Sequence, residues 1–345
     1  MKLNKRAIGY FILGLIFLIF AFVYYSPFKK IEKIEYIHNE GKAQGTYYSA
    51  TYLQPEHKDL QKEIENFFAE FDLSLSTYNP KSIITQINQN VDTVKTDAYF
   101  ETMFYEAQKV SEMSNGAFDI TVGPLVNAWG FGFKNIDTSK MPDVSKLLPF
   151  VGYKKVKILN HKLIKENDSI VLDASAIAQG LSADLIAKLF EKNGCENYMI
   201  DIGGEIACKG KNPSGKNWQI GIDKPVDDPE NANGELQTII SVTNLGLTTS
   251  GNYRKFYYQG GKKYAHTIDP RTGFPVQHNL LSATVIAPSS MQADAYATAF
   301  MVMGVDSAMS LCKRVPNMDC YLIYTDKDGK YQVTYSPGFK KYLVE

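Results

Sequence analysis

The charge-free run from Ala7 to Phe28, preceded by Lys2, Lys5 and Arg6, constrains this chain more than any other feature. A stretch that long and that apolar either crosses a bilayer or is cut away. As a helix it is long enough to cross about 30 Å of hydrocarbon. The basic flank is expected to stay cytoplasmic, which places everything after it on the periplasmic side of the inner membrane. A cleaved signal would end in a small-x-small site, and Tyr24-Tyr25-Ser26-Pro27 makes a poor one. No cysteine lies near the run, so a lipid-linked N-terminus is excluded. The expected organisation is a membrane anchor at residues 1–28 followed by one folded domain at 29–345.

That domain is large enough for a substantial core: the chain has 345 residues and is 44% hydrophobic. Lysine plus arginine and aspartate plus glutamate number 37 each, so no global field draws the chain to nucleic acid. Cys195, Cys208, Cys312 and Cys320 include no Cys-x-x-Cys spacing and read as small buried hydrophobes.

Periodicity predicts a charged connector at Lys29–Glu40 leading to a first strand around Gly45–Tyr52. A helix is expected over Glu56–Asp72, with Leu60, Ile64, Phe67, Phe68 and Phe71 on its apolar face. A second, at Thr96–Ser114, is broken by Asn115-Gly116, and Ala117–Val122 is expected to run on as extended chain. Further along, a helix over Leu181–Lys192 precedes a strand at Tyr198–Ile202. A helical region at Ala293–Val315, interrupted near Gly304, precedes another strand at Cys320–Tyr324. These two helix-then-strand units have the pattern of an internal duplication. Asn212–Asn217 and Asp227–Gly234 read as surface loops. With no domain linker in sight, the fold class expected is a single α+β domain behind a transmembrane helix.

Gly210-Lys211-Asn212-Pro213-Ser214-Gly215-Lys216 mimics a phosphate-binding loop, but Asn217 replaces the hydroxyl residue and Trp218–Ile222 continues as strand. A phosphate cradle needs a helix N-terminus at that point, so a hairpin loop is expected.

Chemistry concentrates between Thr248 and Thr298. Asp294 and Thr298 stand four residues apart in a segment of good helix formers, so their oxygens share a face. Their neighbours Ala293, Ala295, Ala297, Ala299, Phe300 and Met301 are small or apolar, which marks a packed helix and not a solvated one. A carboxylate in such surroundings needs a partner, and two hard oxygens suit Mg²⁺. His266 leads into the turn Asp269-Pro270-Arg271-Thr272-Gly273, and could orient a pyrophosphate or move a proton. On local grounds a lone histidine there is more often a structural hydrogen-bonder. Thr249-Ser250-Gly251 offers hydroxyls and a flexible backbone to a phosphate or ribose, or forms a plain turn.

The strings Thr248–Arg254, His266–Pro275 and Ala293–Thr298 resemble the ApbE family, the FAD:protein FMN transferases. The likeness continues through Gly45–Tyr48, Leu75–Tyr78, Asn115–Leu125, Asp173–Gly180 and Asp201–Glu205, in family order. Two departures stand out: Gln44 where the family usually has methionine, and Asp173-Ala174-Ser175-Ala176-Ile177-Ala178-Gln179-Gly180 where it usually has Asp-Leu-Gly-Gly-Ile-Ala-Lys-Gly. The resemblance implies a Mg²⁺ site from Asp294, Thr298 and the backbone carbonyl of Ala178. It implies FAD contacts at Tyr78, Ala117, Phe118, Asp119, Ser175, Thr249, Ser250, Gly251 and Ile268, with Phe118 packed inward and Asp119 facing the ligand. Catalytic roles fall to Asp294 and His266. The implied reaction moves FMN from FAD to a serine or threonine of a target flavoprotein, such as a subunit of a membrane electron-transfer complex, and releases AMP. A Mg²⁺-dependent FAD pyrophosphatase keeps the same site with water as acceptor, and a non-catalytic extracytoplasmic flavin-binding protein is the rival of another class.

Overall fold

In a computed structural model of the chain, the structure describes residues 35–132, 141–225, 235–252 and 256–344. The expected anchor at 1–28 lies outside them, as does the expected loop at 227–234. Among the described residues no helix is long and apolar enough to cross a membrane.

The chain opens with a hairpin of β1 (Ile37–Ala43) and β2 (Thr46–Leu53), followed by α1 (Gln61–Leu75), α2 (Ile83–Asn88), α3 (Ala98–Met113), α4 (Gly123–Ala128) and α5 (Val144–Leu147). A small ribbon, β3 (Val156–Leu159) and β4 (Lys162–Lys165), precedes α6 (Ala178–Lys192), β5 (Asn197–Ile202) and β6 (Glu205–Lys209). Next come β7 (Trp218–Asp223), β8 (Leu236–Val242), β9 (Leu245–Gly251), β10 (Phe256–Gln259), β11 (Lys262–Ala265) and β12 (Leu280–Ala287). The order closes with α7 (Ser290–Met303), α8 (Val305–Cys312), β13 (Asp319–Thr325) and β14 (Tyr331–Tyr335).

The central sheet has the order β1-β2-β5-β6-β9-β12-β13-β14, and every neighbouring pair in it is antiparallel. The α+β class is therefore borne out. Strict alternation sorts the side chains. Tyr198, Ile200 and Ile202 of β5 and Ala283 and Val285 of β12 face the helices, joining Phe67, Phe71, Phe100, Phe104, Ile186, Phe190 and Phe300 in the larger core. Leu247, Ile286, Tyr321 and Ile323 face the other way, onto the β7–β8 ribbon with Trp218, Ile222, Val242 and Phe339. The two helix-strand units expected from sequence are present as α6 with β5 and α7–α8 with β13. The mimic of a phosphate-binding loop runs into strand β7, as expected.

Local chemistry moves several boundaries. The first helix starts at Gln61, later than expected, because Gln54 Oε1 accepts the N–H groups of Glu56 and Lys58, both at 2.7 Å, and holds that stretch as a turn. Leu60, fully buried, donates its N–H to Tyr52 Oη at 2.7 Å. The connector expected to reach Glu40 is strand from Ile37, with Asn39 and Ala43 turned inward. The segment Ala117–Val122 is not a strand. Asp119 captures the Thr121 N–H at 2.8 Å, Val122 makes a single bridge to Val171, and Pro124 helps start α4. The second helix matches expectation: Asp97 caps it through Phe100 N, and Asn115 and Gly116 end it at φ 52° and 74°.

Helix α7 is buried on nearly every side, with Ala293, Ala295, Ala297, Ala299 and Phe300 inaccessible to solvent. It lies against α6, β9 and β12, so an all-round apolar sequence is what its position requires. Asp294 is the exception carried into that environment.

Phe190 of α6, fully buried, stacks on Tyr52 with ring centroids 4.6 Å apart and ties the helical layer to the sheet. Phe190→Ala is expected to cost about 3–5 kcal/mol of stability, read from urea unfolding. A loss below about 1 kcal/mol would show that this contact does not anchor the layer.

Candidate active site

Two glycines allow the site to form. Gly180 lies in the first turn of α6, and a Cβ there would sit 2.4 Å from Ser290 O and 2.8 Å from Asp294 Cβ. Gly246 of β9 is as tightly placed, since a Cβ there would meet the backbone of Ser289 and Ser290. With neither side chain present, the start of α7 drops between α6 and the sheet, and Gly180 N–H donates to Asp294 Oδ2 at 3.1 Å. Among the described residues no second hydrogen-bond donor reaches that carboxylate, which is 4% exposed. Burial pushes Asp294 up to about 7, opposed by the Gly180 N–H and reinforced by the nearby charge of Asp184.

Sequence reasoning missed Asp184. Its two oxygens accept Ser290 N at 2.8 Å and Met291 N at 2.9 Å, taking the free donors at the α7 N-terminus alongside Ser289, whose Oγ accepts Gln292 N. Burial pushes Asp184 up to about 6 against those hydrogen bonds. The available signal was its spacing: Asp184 stands four residues after Gly180, on the same face of α6.

Thr298 lies one turn beyond Asp294 and is half-buried, while Ala178 is the first residue of α6. A carboxylate, a hydroxyl and a helix-start carbonyl are hard oxygen donors of the kind Mg²⁺ takes. Among the described residues no cluster of three or more His, Cys, Asp or Glu could hold a metal.

The Thr249-Ser250-Gly251 segment splits across the sheet. Thr248 pairs with Val285 and Ser250 with Ala283, which puts both on the helical side; the Thr248 hydroxyl is buried with no partner among the described residues. Thr249 faces the opposite side, where its hydroxyl lies 2.8 Å from that of Thr284. Thr249 therefore turns its side chain away from Asp294, and Gly251 ends the strand. Asn252 continues by donating its N–H to Leu281 O and accepting the Thr267 hydroxyl at 2.5 Å, which fixes the residue next to His266. His266 sits against Phe131 in an edge-to-face contact at 6.3 Å.

Two segments far apart in sequence meet at a cleft of about 500 Å³ lined by Asn115, Gly116, Asp119, Gly152, Lys154 and Arg271, among others. The turn supplying Arg271 is rigid. Asp269 accepts Arg271 Nε and Nη2, each at 2.8 Å, and also Arg271 N at 2.9 Å. Trp129, buried on Leu125, Val144, Val151 and Ile268, donates Nε1–H to Gly273 O at 2.8 Å. Ile268 belongs to that cluster and bridges to Pro275. Gly273 has φ 79°, and a Cβ there would strike Val144 Cγ1 at 2.3 Å, so the turn requires glycine.

On the other wall, Phe118 packs inward as expected, and Ala117 is also buried. Asp119, expected to face the ligand, borders the cleft with its carboxylate already engaged: Oδ1 accepts Thr121 N and Oγ1, and Oδ2 accepts Tyr153 N at 2.6 Å. Burial raises its pKa against those bonds. Asp119 thus shapes the wall by holding Tyr153 in place. Tyr78, at 79% exposure, is free to cover a ligand, and Ser175 is exposed after donating its N–H to Asp173. Gln44, in the tight β1–β2 turn at φ 51°, accepts the Ser182 hydroxyl at 3.2 Å and so reaches the first turns of α6.

The sequence profile of the ApbE family matches residues 44–322, a span that includes every one of these groups. The chain belongs to the ApbE family. The FAD:protein FMN transferase of Haemophilus influenzae is 36% identical over 87% of this chain and 90% of its own length. That of Escherichia coli K12 is 33% identical over 88% of each. The flavin transferase ApbE of Vibrio cholerae superposes with a TM-score of 0.81 at 34% identity, over 90% of this chain and 99% of the other. The apo flavinyl transferase ApbE of Pseudomonas stutzeri gives 0.77 at 27% identity, over 89% and 96%.

In this ApbE-family chain the buried Asp294 has a pH signature. Its folded pKa, about 7, lies above the ordinary 3.8. The folded state therefore takes up a proton between those values, and the stability owed to this group falls as pH rises through that window, then levels off. Without divalent cations, the parent is expected to lose on the order of a few kcal/mol relative to Asp294→Asn between about pH 4.5 and 7.5. Urea unfolding of both proteins across that range measures it. Parallel pH profiles would mean that Asp294 is not held in a desolvated position.

Proposed function

We propose that this chain transfers the FMN moiety of FAD to a serine or threonine hydroxyl of a target flavoprotein, in a Mg²⁺-dependent reaction that releases AMP. The observation that carries the proposal is the placement of Asp294, a buried carboxylate with one N–H donor and a second acid nearby, in a family whose named relatives are FAD:protein FMN transferases. A carboxylate so desolvated, with a second acid close by, is costly without a cation.

Asp294, the Thr298 hydroxyl and the Ala178 carbonyl would hold Mg²⁺. Bound there, the ion would supply charge neutralisation for the pyrophosphate of FAD. The rest is the work of the chain. The cleft between Ala117–Asp119 and the Asp269–Gly273 turn takes the flavin end of FAD, with Lys154 and Arg271 on its wall and Tyr78 available to cover it. Ser250 and Gly251 end the strand that runs beside α7 and take the phosphate or ribose.

The acceptor hydroxyl oxygen attacks the phosphorus of the FMN half. A P–O bond forms, the bond to the AMP phosphate breaks, and AMP leaves with the electron pair. The hydroxyl proton passes to His266 or to Asp294. The product is a phosphoester-linked flavin.

Incubation with FAD, Mg²⁺ and a flavoprotein acceptor should add the mass of FMN less water to the acceptor and release AMP in equal amount. Replacing the acceptor serine or threonine by alanine should abolish labelling, and FMN alone should not serve as donor. Asp294→Asn should keep the fold and lose on the order of 10²-fold or more in rate. AMP release that is equal without acceptor would instead identify an FAD pyrophosphatase. Retention of FAD without turnover would identify a flavin-binding protein.

The catalytic domain is further proposed to sit outside the inner membrane, held by the segment up to Phe28 with its basic end inside. Targets in membrane electron-transfer complexes suit that location. Protease added to intact spheroplasts should digest the chain after Phe28, and full protection would place the domain in the cytoplasm.

A further inference from the structure

Asp184, partly buried on α6, is neither one of the oxygens offered to Mg²⁺ nor part of the cleft wall. Its two oxygens accept the Ser290 and Met291 N–H groups at 2.8 and 2.9 Å, while one turn earlier on α6 Gly180 gives its own N–H to Asp294 Oδ2 at 3.1 Å. Each helix thus donates to a carboxylate of the other. The two links stand one helical turn apart on both partners, Gly180 to Asp184 on α6 and Ser290 to Asp294 on α7, or about 6 Å along each axis.

A single link between two helices is a pivot. Two links a turn apart oppose both sliding and rotation, and the backbone approach at Gly180, where a Cβ would meet Ser290 O at 2.4 Å, leaves no slack between them. The third N–H of the first turn of α7, that of Gln292, goes to Ser289 in its own segment and does not bear on the register.

The cation site depends on that register. Ala178 offers its carbonyl from the start of α6, whereas Asp294 and Thr298 offer oxygens from α7. A slip of one residue moves one set against the other by about 1.5 Å. Mg²⁺ takes its ligands at about 2.0–2.1 Å in near-ideal octahedral geometry, whereas Ca²⁺ accepts longer and more variable coordination.

We propose that Asp184 is the positioning residue of the cation site: by holding the α7 N-terminus it sets the register of α7 on α6, and with it the fit of the site to Mg²⁺. This builds on the reading that Asp294, Thr298 and the Ala178 carbonyl hold that ion.

The full chain is titrated calorimetrically with magnesium chloride and, separately, with calcium chloride, and urea unfolding verifies that each variant is folded. Asp184→Asn leaves one acceptor oxygen for two N–H groups. Asp184→Glu keeps the charge and both oxygens but carries them one methylene further. Both are expected to bind Mg²⁺ about 10-fold or more weakly than the parent, with Ca²⁺ affinity changed by less than about 3-fold. Phe190→Ala, a destabilising change toward the far end of α6, should keep both affinities within about two-fold. Coupling is reciprocal, so Mg²⁺ should also slow hydrogen exchange at the Ser290 and Met291 amides of the parent by about 5-fold or more, and should not do so in Asp294→Asn.

Unchanged Mg²⁺ affinity in the folded Asp184 variants overturns the proposal, as does an equal loss in Phe190→Ala. Equal weakening of Mg²⁺ and Ca²⁺ by Asp184→Asn, with Asp184→Glu behaving as the parent, makes Asp184 a source of charge alone and overturns it too. Should neither Asp184 variant fold, exchange at Ser290 and Met291 that Mg²⁺ leaves unchanged has the same force. These results leave the metal reading standing when the parent binds Mg²⁺ and Asp294→Asn does not. A parent without Asp294-dependent Mg²⁺ binding overturns that reading and the positioning role together.

Discussion

One hydrogen bond, from Gly180 N–H to Asp294 across the α6–α7 contact, organises the rest of the site. It can form only because positions 180 and 246 carry no side chain, so that α7 settles against α6 and β9 with backbone approaching backbone. The helix it admits is apolar all round, and Asp184 satisfies the N-terminal donors of that helix from the neighbouring element. A single acid is then held in a desolvated position with one donor and a second acid near enough to raise its pKa. The fold stores an unfavourable charge at one point, and a divalent cation is the partner that would relieve it.

The cleft follows a different principle. Its walls are loops, and loops hold a shape only where their polar groups are satisfied. Asp119 pins Tyr153, Asp269 clamps Arg271 with a bidentate pair, and Trp129 fixes Gly273 from beneath. The aromatic neighbours continue outward, with Trp129 stacked on Tyr264 at 5.4 Å and Phe131 on Tyr257 at 5.3 Å. On the cleft, Asp119 is thus engaged with the frame that holds its shape.

Much of this was legible in the sequence wherever a local rule governs. The α3 helix, the break at Gly304 and the strand after the phosphate-loop mimic all follow from spacing and turn chemistry. The start of α1 was misplaced because Gln54 and Tyr52 hold the preceding turn from outside the helix, and a side chain acting across the fold leaves no periodic trace. Asp119 was legible as a site residue, yet its engagement with Tyr153 joins positions that share no pattern. Asp184 was passed over for a similar reason: one carboxylate on an apolar helix reads as a solvated exception until the partner helix is known to end on it. The orientation of Thr249, opposite to Ser250, depends on β9 being a continuous strand and not the turn that its glycine suggested.

The central claim is that the environment of Asp294 is built to be completed by a divalent cation, and its carboxyl titration reports on this most directly. With ¹³C-labelled aspartate, and Asp294→Asn to assign the resonance, the carboxyl signal can be followed by NMR against pH with and without Mg²⁺. The account predicts a midpoint at about 7 in the free chain and a fall to below about 4 at saturating Mg²⁺, because an adjacent cation favours the charged form. An unchanged midpoint in saturating Mg²⁺ would contradict it.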